Sequence, residues 1–338
     1  MIGIDALVLD GASASAVGTT VDVVSAANRI LGTPTFDLRF VSPDTEVALR
    51  GGLTATAQPL TRAAPRDIVV VPGLGAADPE ELASRLAEPD VDLAGRWLTA
   101  AHGHGTTVAA SCTAVFVLGA CGLLDERRCV TTWWLGSELA RIAPNARVVI
   151  EEMVVRDGSI WTAGSAFAHI DLMLALLRFL GGAALTDELA SRLVIDERSS
   201  QAPFLIPSHL AARDQTVAAL ESFVRTHLDR PHTLASLAQW CRVSPRTLAR
   251  RTDRAVGLSP MQLVQRVRLE HALHLLRTTD LPLGEIAASV GAADPATLHR
   301  LVKRHTGRSP GALRPGTKGH ARATRPPDPP RVRGEHAL

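Results

Sequence analysis

A cysteine flanked by small residues stands where the chain changes from strand to helix. Thr106 to Ala110 is a short apolar and β-branched run, Ser111-Cys112-Thr113 follows at once, and Ala114 to Gly122 has helical spacing. This order is typical of a nucleophile elbow, in which a sharp turn lifts a side chain above the sheet edge. The positive end of the following helix lowers the pKa of a thiol. The stretch therefore predicts a site centred on Cys112, for catalysis or for binding.

A second kind of chemistry lies near the other end of the chain. A short apolar helix, a tight turn and an arginine-bearing helix occur over Leu234 to Gly257 and again over Leu283 to Gly307, joined by the amphipathic run Ser259 to Leu276. Ser244-Pro245 and Asp294-Pro295 have the residue types of an N-cap and a first helical position. Two helix-turn-helix units on one connecting helix predict a reader of two successive turns of the DNA major groove.

Charge is divided unevenly along the 338 residues. Residues 1–212 carry 15 basic and 24 acidic side chains, whereas residues 213–315 carry 16 basic and 8 acidic ones. The length favours two domains, and 46% hydrophobic residues suffice for packed cores. An acidic half joined to a basic half indicates a sensor fused to a polyanion-binding module.

The cysteines predict reduced thiols and no metal site. Cys112, Cys121, Cys129 and Cys241 show neither CxxC spacing nor a histidine at zinc-site spacing. We expect no metal and no cofactor. The first residues do not resemble a signal peptide, and the apolar run Leu172 to Leu185, which contains Arg178, is too short to span a bilayer. A cytoplasmic protein without a membrane segment is expected.

Strands alternate with helices over the first 200 residues, which predicts an α/β doubly wound fold with a largely parallel sheet. The predicted strands are Ile2–Leu9, Phe36–Val41, Asp67–Val71 and Thr106–Ala110, with a hairpin over Leu49–Ala57 and a strand pair over Val148–Val155 and Ser159–Thr162. The predicted helices are Thr19–Leu31, Glu80–Leu86, Ala94–His102, Ala114–Gly122, Ala168–Leu180 and Asp187–Leu193.

Three blocks of this region carry a family resemblance. VVVPG, AASCTAVFVLGACGLLDERRCVTTWW and WTAGSAFAHIDL resemble, in that order, the class I glutamine amidotransferase-like domain of the PfpI group, over about residues 2–200. The resemblance implies a flavodoxin-like domain with Cys112 at the nucleophile position. Two positions depart from the family: Ala114 replaces the usual glycine, and Trp133 replaces a histidine. Activating a thiol needs a neighbouring base or ion-pair partner, which tryptophan cannot supply.

The departures favour binding over turnover. We predict a catalytically degenerate domain with a pocket for a small effector, lined by Cys112, Asp22, Gly73, Trp133 and His169. Asp22 falls where relatives carry an acidic residue facing the cysteine, and Gly73 with its neighbouring amides offers a nest for an anion. His169 approaches from another element. Two alternatives stay open: an active cysteine-dependent amidase or hydratase fused to a DNA-binding module, and an inert cysteine in a dimerising domain.

Residues 214–315 carry a second resemblance, through SPRTLARR, GLSPMQLVQRVRLEHALHLLRTTDLPLGEIAASVG and DPATLHRLVKRHTGRSPGALR. They resemble the AraC family of transcription regulators, which implies an all-α domain with two helix-turn-helix motifs. Matching family positions assign contacts with base edges to Arg246, Arg250, His299 and Arg300. Phosphate contacts are expected from Arg251, Arg254, Lys303 and Arg304.

Together these features predict four segments: a sensor and dimerisation domain over 1–200, a linker over 201–213, an AraC-type domain over 214–315 and a flexible basic tail over 316–338. The predicted function is sequence-specific regulation of transcription in response to an effector. The expected partners are double-stranded promoter or operator DNA, an unidentified small molecule and a second copy of the chain, and RNA polymerase is a possible further one.

Overall fold

A computed structural model describes residues 1–196, 198–201, 204 and 214–314. The described residues form two compact units. One comprises residues 1–222 and 233–263, and the other comprises 223–232 and the residues from 264 onward. The predicted tail, 316–338, and all of the predicted linker except Gln201 and Phe204 lie outside the described residues. The division into domains at residues 200 and 214 stays a prediction.

The first unit is built on a seven-stranded sheet in the order β10-β11-β7-β6-β1-β2-β5. The strands of the unit are β1 (Ile2–Leu7), β2 (Phe36–Ser42), β3 (Glu46–Ala48), β4 (Thr54–Thr56), β5 (Gln58–Pro59), β6 (Ile68–Val71), β7 (Thr107–Ser111), β8 (Arg128–Cys129), β9 (Arg147–Val148), β10 (Val154–Asp157) and β11 (Ile160–Ala163). Neighbouring strands of the sheet are parallel except for β10, which pairs antiparallel with β11. β3 with β4 and β8 with β9 form separate pairs.

Helices cover both faces of this sheet, as the alternating pattern predicts. They are α1 (Ala14–Leu31), α2 (Pro79–Leu86), α3 (Pro89–Gly103), α4 (Val115–Ala120), α5 (Gly136–Ile142) and α6 (Ala168–Leu193), and short 3-10 helices occupy Leu60–Arg62, Cys112–Ala114 and Trp133–Leu135. One apolar core packs around Phe116 and the other around Leu172 and Met173. All four residues of β6 are buried, as expected of a central parallel strand. The predicted α/β fold is confirmed.

One predicted strand boundary was wrong. The strand predicted over Val148–Val155 is divided: Val148 ends β9, which pairs with β8, and β10 begins at Val154. The two helices predicted over Ala168–Leu180 and Asp187–Leu193 are confirmed as the two parts of α6, which breaks at Gly182 (φ 84°, ψ 172°). Glycine permits that conformation because it has no Cβ. Among the described helices, only α6 is long and apolar enough to cross a membrane. Half of its most apolar 18-residue stretch is buried within the protein.

The remaining described chain is helical. It contains α7 (Gln215–Thr226), α8 (Leu234–Trp240), α9 (Pro245–Val256), α10 (Pro260–Thr278), α11 (Leu283–Ser289) and α12 (Pro295–Thr306), followed by a 3-10 turn at Pro310–Leu313. α8 with α9 and α11 with α12 are the two predicted helix-turn-helix units. In the second unit of the fold, Ile286, Leu298 and Val302 are fully buried in one apolar cluster. The predicted two-motif helical module is therefore present.

A buried carboxylate fixes the register of the central strands. Asp5 of β1 is fully buried and lies beside Arg39 of β2 in the parallel register. Its oxygens accept from Arg39 Nε at 2.8 Å, from Arg66 Nε at 2.7 Å and from the Arg66 amide at 3.1 Å. Arg66 precedes β6, so one side chain ties three neighbouring strands together. A buried charge is tolerated because two guanidinium groups and an amide satisfy it.

Asp5→Asn should destabilise the protein by about 3 kcal/mol, because the substitution removes the buried carboxylate that pairs with Arg39 and Arg66 and leaves Arg66 with the exposed Asp37 as its acidic partner. Urea unfolding measures the loss. The control is Asp92→Asn, which removes an exposed ion pair with Arg96 and should cost less than about 0.5 kcal/mol. Equal losses in the two variants would contradict the structural role of Asp5.

Candidate functional site

Cys112 sits at the predicted elbow, at the carboxyl end of β7. It begins the 3-10 turn between Ser111 and α4, and its φ is +55°, a conformation that few residues other than glycine adopt. Its side chain is only 8% exposed. Burial raises the pKa of the Cys112 thiol, and hydrogen bonds from Thr113 oppose that shift without cancelling it. The thiol is therefore the protonated, weakly nucleophilic form at neutral pH.

Gly73 lies directly against the cysteine. A Cβ added at Gly73 would lie 3.1 Å from Cys112 Cβ and 3.6 Å from Cys112 Sγ, so a larger residue here would crowd the side chain. The amide of Leu74 donates to Thr113 Oγ1 at 3.0 Å, and the carbonyl of Gly73 accepts from the amide of Ser13 at 2.9 Å. The predicted contact of Gly73 with the cysteine is present. The Leu74 amide, however, is used within the protein and is not open to an anion.

His169 lies in the first turn of α6 and is fully buried. Its Nδ1 is hydrogen-bonded to Ser111 Oγ at 2.8 Å, and its Nε2 is hydrogen-bonded to Thr20 Oγ1 at 2.8 Å. Burial lowers the pKa of His169 to about 4. The imidazole is therefore neutral, and both ring nitrogens are already bonded to hydroxyl groups. His169 reaches the residue next to Cys112 but offers the thiol no free proton acceptor.

Asp22 lies in different surroundings from those predicted. Asp22 is exposed on α1, and no hydrogen bond or ion pair among the described residues joins its carboxylate to Cys112. The inward position on this helix belongs to Thr20, whose hydroxyl also donates to Ala16 O. Trp133 is buried, and its ring meets that of Trp134 edge to face at a centroid distance of 5.3 Å. The acidic neighbour predicted for the cysteine is thus not brought to it.

Sequence reasoning missed a set of buried hydroxyl groups around the elbow. Thr131 Oγ1 donates to Cys112 O at 2.7 Å, and Thr132 Oγ1 lies 3.3 Å from Ser165 Oγ. Ser111 and Thr20 hold His169 as described. One signal was available, because Thr20 follows Val17 at helical spacing on the apolar side of α1. The site is consequently uncharged and hydroxyl-rich, which suits recognition of a neutral polar group better than activation of a thiol.

Among the described residues, no group of three or more His, Cys, Asp or Glu side chains is placed to hold a metal ion. An open surface pocket of about 260 Å³ lies elsewhere, between α7 and the end of α8, lined by Gln215, Thr216, Ala219, Trp240, Cys241 and Arg242. None of the predicted effector-binding residues contributes to it. The predicted effector site around Cys112 and this surface pocket are therefore separate.

α9 has the geometry of a recognition helix. Ser244 caps it by accepting from the Thr247 amide at 3.1 Å, Pro245 starts it, and Gly257 ends it in the left-handed conformation. Arg246, Arg250 and Arg254 are exposed on its surface. Arg251 is also exposed, but it donates to Thr216 Oγ1 and lies 3.7 Å from Asp214 Oδ1. One of the predicted phosphate contacts is therefore already paired with the start of α7.

α12 repeats the arrangement in the second unit. Asp294 accepts from the Thr297 amide at 2.7 Å and from the Thr297 hydroxyl at 2.8 Å, and these hydrogen bonds lower the pKa of its carboxyl. The four residues predicted to contact DNA are all exposed: His299, Arg300, Lys303 and Arg304. The end of the helix is held by His305, which accepts from the buried Arg266 at 2.8 Å. A capped helix with an exposed basic face can enter a major groove.

Comparisons with known proteins agree with both halves of this description. The DJ-1/PfpI family model matches residues 7–179, and a helix-turn-helix domain model matches residues 237–315. The HTH-type transcriptional regulator GlxA of Rhizobium meliloti is 28% identical over 62% of this chain and 65% of its own length. The HTH-type transcriptional regulator CdhR of Pseudomonas aeruginosa is 26% identical over 70% of each chain. The chain thus spans about two thirds of these relatives.

A solved structure supports the fold of the first unit. A putative transcriptional regulator from Vibrio parahaemolyticus is 18% identical, covers 57% of this chain and 98% of its own, and superimposes with a TM-score of 0.50. At this identity the likeness concerns the fold alone.

The stability of the first unit should depend on pH through His169. Its pKa of about 4 lies below the ordinary 6.5, so the unfolded chain binds the proton more readily than the folded one. The free energy of unfolding is therefore unaffected by this group above about pH 6.5 and decreases as the pH falls towards 4. The full decrease is about 3 kcal/mol. In the variant His169→Gln, urea unfolding should show a flatter dependence over this window.

His305 is the matched control for that measurement, because burial and the adjacent Arg266 and Arg304 also lower its pKa to about 4. In His305→Gln, the pH dependence of the free energy of unfolding that is due to His169 should remain. An unchanged slope in His169→Gln would contradict the assignment.

Cys112 should react slowly with alkylating agents at neutral pH, because its thiol is buried and its pKa is raised. Peptide mass spectrometry after timed exposure to iodoacetamide at pH 7.5 gives a rate for each cysteine. We expect Cys112 to react roughly tenfold more slowly than the half-buried Cys241. A faster reaction at Cys112 would mean that the elbow activates its thiol after all.

Proposed function

Because the chain belongs to the DJ-1/PfpI family through residues 7–179 and carries an AraC-type helix-turn-helix domain, we propose that it is a sequence-specific, DNA-binding regulator of transcription. The observation that carries the proposal is the pair of capped helices, α9 and α12, each with an exposed basic face. Regulators named HTH-type among its relatives support the same function.

The side chains on the two helices divide by chemistry. Arg246 and Arg250 on α9, with His299 and Arg300 on α12, are our candidates for base edges. Arginine donates two parallel hydrogen bonds to guanine O6 and N7, which discriminates guanine from other bases. Arg254, Lys303 and Arg304 are proposed to hold phosphates, which positions the protein without reading sequence. Arg251 joins them if it leaves Asp214.

We propose that the α/β domain senses a small molecule and does not catalyse a reaction. Among the described residues, none of the predicted partners supplies a base to the Cys112 thiol. His169 is neutral and hydrogen-bonded through both ring nitrogens, the indole of Trp133 does not accept a proton near neutral pH, and Asp22 is exposed on α1. A nucleophile without such a partner remains a weak one. An effector that binds one geometry of a dimer more tightly would favour the geometry that presents the DNA-binding helices correctly.

The partners follow from this role. They are double-stranded operator or promoter DNA, an unidentified small-molecule effector and a second copy of the chain, with RNA polymerase as a further possible partner. Such a regulator would work in the cytoplasm. The first part of the sequence is acidic and the later part is basic, which fits a sensor domain that does not itself bind DNA.

One observation favours a second candidate function. The positive φ of Cys112 is a strained elbow of the kind that collects at functional sites. A cysteine-dependent amidase or hydratase carrying a DNA-binding module would use it. Turnover of amide substrates by the native protein, lost in Cys112→Ala, would establish that function; equal background rates would exclude it.

The regulator is tested by selecting a binding site with the full chain and measuring affinity by fluorescence anisotropy. Arg246→Ala and Arg250→Ala should each weaken the selected site by about 1–3 kcal/mol and relax the preference at one base pair, because a bidentate contact is lost. Lys303→Ala and Arg304→Ala should weaken all sequences alike and reduce the salt slope by about 0.9 for each lost phosphate contact.

Arg96→Ala is the control, because Arg96 is an exposed arginine of α3 that pairs with Asp92 in the α/β unit. It should leave DNA affinity unchanged. Failure of the native chain to distinguish any selected duplex from random competitor at physiological salt would reject the proposed function.

A further inference from the structure

Gln201 is a polar residue in an unusual place. Its side chain is only 1% exposed, although it lies at the start of the predicted linker, where a solvated glutamine is expected. The carboxamide enters the carboxyl edge of the sheet beside Gly164, the residue that follows β11. β11 pairs with β7 so that Ala163 stands opposite Ser111, the neighbour of Cys112. Gln201 thus reaches the edge that carries the cysteine.

The groups around the Gln201 side chain match an amide in both of its roles. Gln201 Nε2 donates to Thr131 O at 2.9 Å, and Gln201 Oε1 accepts from Ser165 Oγ at 3.4 Å. Thr131 in turn donates its hydroxyl to Cys112 O at 2.7 Å. A carboxylate would set an oxygen against the carbonyl of Thr131, which can only accept. The arrangement therefore selects a neutral carboxamide over an acid.

Gly164 makes the space for this group. A Cβ added at Gly164 would lie 2.4 Å from Gln201 Oε1 and 2.8 Å from its Cδ. The backbone at Gly164 does not need glycine for its own conformation, since its φ is not positive. We call Thr131, Gly164 and Ser165 the amide cradle. A glycine stands at position 164 because the Gln201 carboxamide occupies the space that a side chain would need.

The cradle also anchors the segment that leads out of the α/β domain. Arg198 Nη2 lies 2.6 Å from the buried Asp171, the amide of Met153 donates to Ser199 O at 3.2 Å, and the amide of Gln201 donates to Glu151 O at 2.9 Å. Whatever fills the cradle in place of Gln201 must therefore compete with residues 198–201 for the same edge.

We propose that the amide cradle is a ligand site for a primary carboxamide, that Gln201 occupies it as an internal plug, and that an amide effector acts by displacing Gln201 and loosening residues 198–201. The displacement converts an event beside Cys112 into a change at the start of the predicted linker. This inference rests on the proposed function in one respect, namely that the freed segment alters DNA binding.

The site is tested by emptying the cradle and refilling it with a small amide. Gln201→Ala should create a space that propionamide fills, and saturating propionamide should raise the Tm of this variant by about 3 °C through mass action. Propionate at the same concentration and ionic strength should have no effect. Native protein should not respond to propionamide at this concentration, because its own side chain holds the cradle.

Two further variants make the result specific. Gln201→Ala combined with Gly164→Ala should lose the response, since the added methyl group occupies the space of the amide. Gln58→Ala removes a hydrogen-bonded glutamine far along the sheet, at β5, and should not gain a response to propionamide. A propionamide response equal in Gln58→Ala or in the double variant, or none in Gln201→Ala, overturns the proposal.

Gly164→Ala alone covers the case in which Gln201→Ala does not fold. The methyl group should expel the flexible carboxamide, and trypsin should then cut the Arg198–Ser199 bond several-fold faster than in the native protein. An unchanged cleavage rate would mean that the cradle does not hold this segment.

The regulatory half has its own readout. Operator affinity should differ from the native value by about fivefold in Gln201→Ala, because the segment is freed as it is when an effector displaces Gln201, and filling the empty cradle with propionamide should not restore the native value. No change would leave an amide site without a regulatory role and so overturn that half. If the native chain binds no operator at all, the proposed function fails, while the propionamide response still decides the ligand site.

Discussion

Two hydrogen bonds to one neutral imidazole decide what the elbow of this protein can do. His169 is enclosed, so its charged form is disfavoured, and its two nitrogens are bonded to Ser111 and Thr20. A ring in that state orders its neighbours and exchanges no proton with the adjacent thiol. Among the described residues, the groups hydrogen-bonded around the elbow are hydroxyls, backbone carbonyls and an amide, and none of them is an ionised partner of Cys112. Its composition is that of a recognition surface.

Much of the fold could be predicted because it depends on local patterns. The apolar β6, the strand-turn-helix at Cys112 and the cap residues Ser244 and Asp294 are each read within a few positions of the chain. An N-cap depends on the geometry of a single helical turn, so its residue types can be recognised in a short stretch of sequence. The two helical parts of α6 were likewise predicted from local spacing, and the break between them falls at Gly182.

The candidate site was predicted less completely, for a physical reason. Its hydrogen bonds join residues far apart in sequence: Thr20 is 149 positions from His169, and Gln201 is 70 from Thr131. Such pairings follow from strand order, which no short motif encodes. Asp22 was favoured by its charge, yet the helix turns Thr20 inward and leaves Asp22 in solvent. Likewise the exposed arginines of α9 were predictable, whereas the pairing of Arg251 with Asp214 was not.

The ion cluster of Asp5, Arg39 and Arg66 has a consequence for how the domain can change over evolution. It ties the strands together through groups that precede β6 and lie within β1 and β2, whereas the elbow and the amide cradle follow the carboxyl ends of β7 and β11. The ion cluster and the elbow are thus carried by different strands of one sheet. Substitutions at the elbow and the amide cradle would therefore leave the hydrogen bonds of Asp5 in place, so the residues that line a site can vary while the strands stay held together.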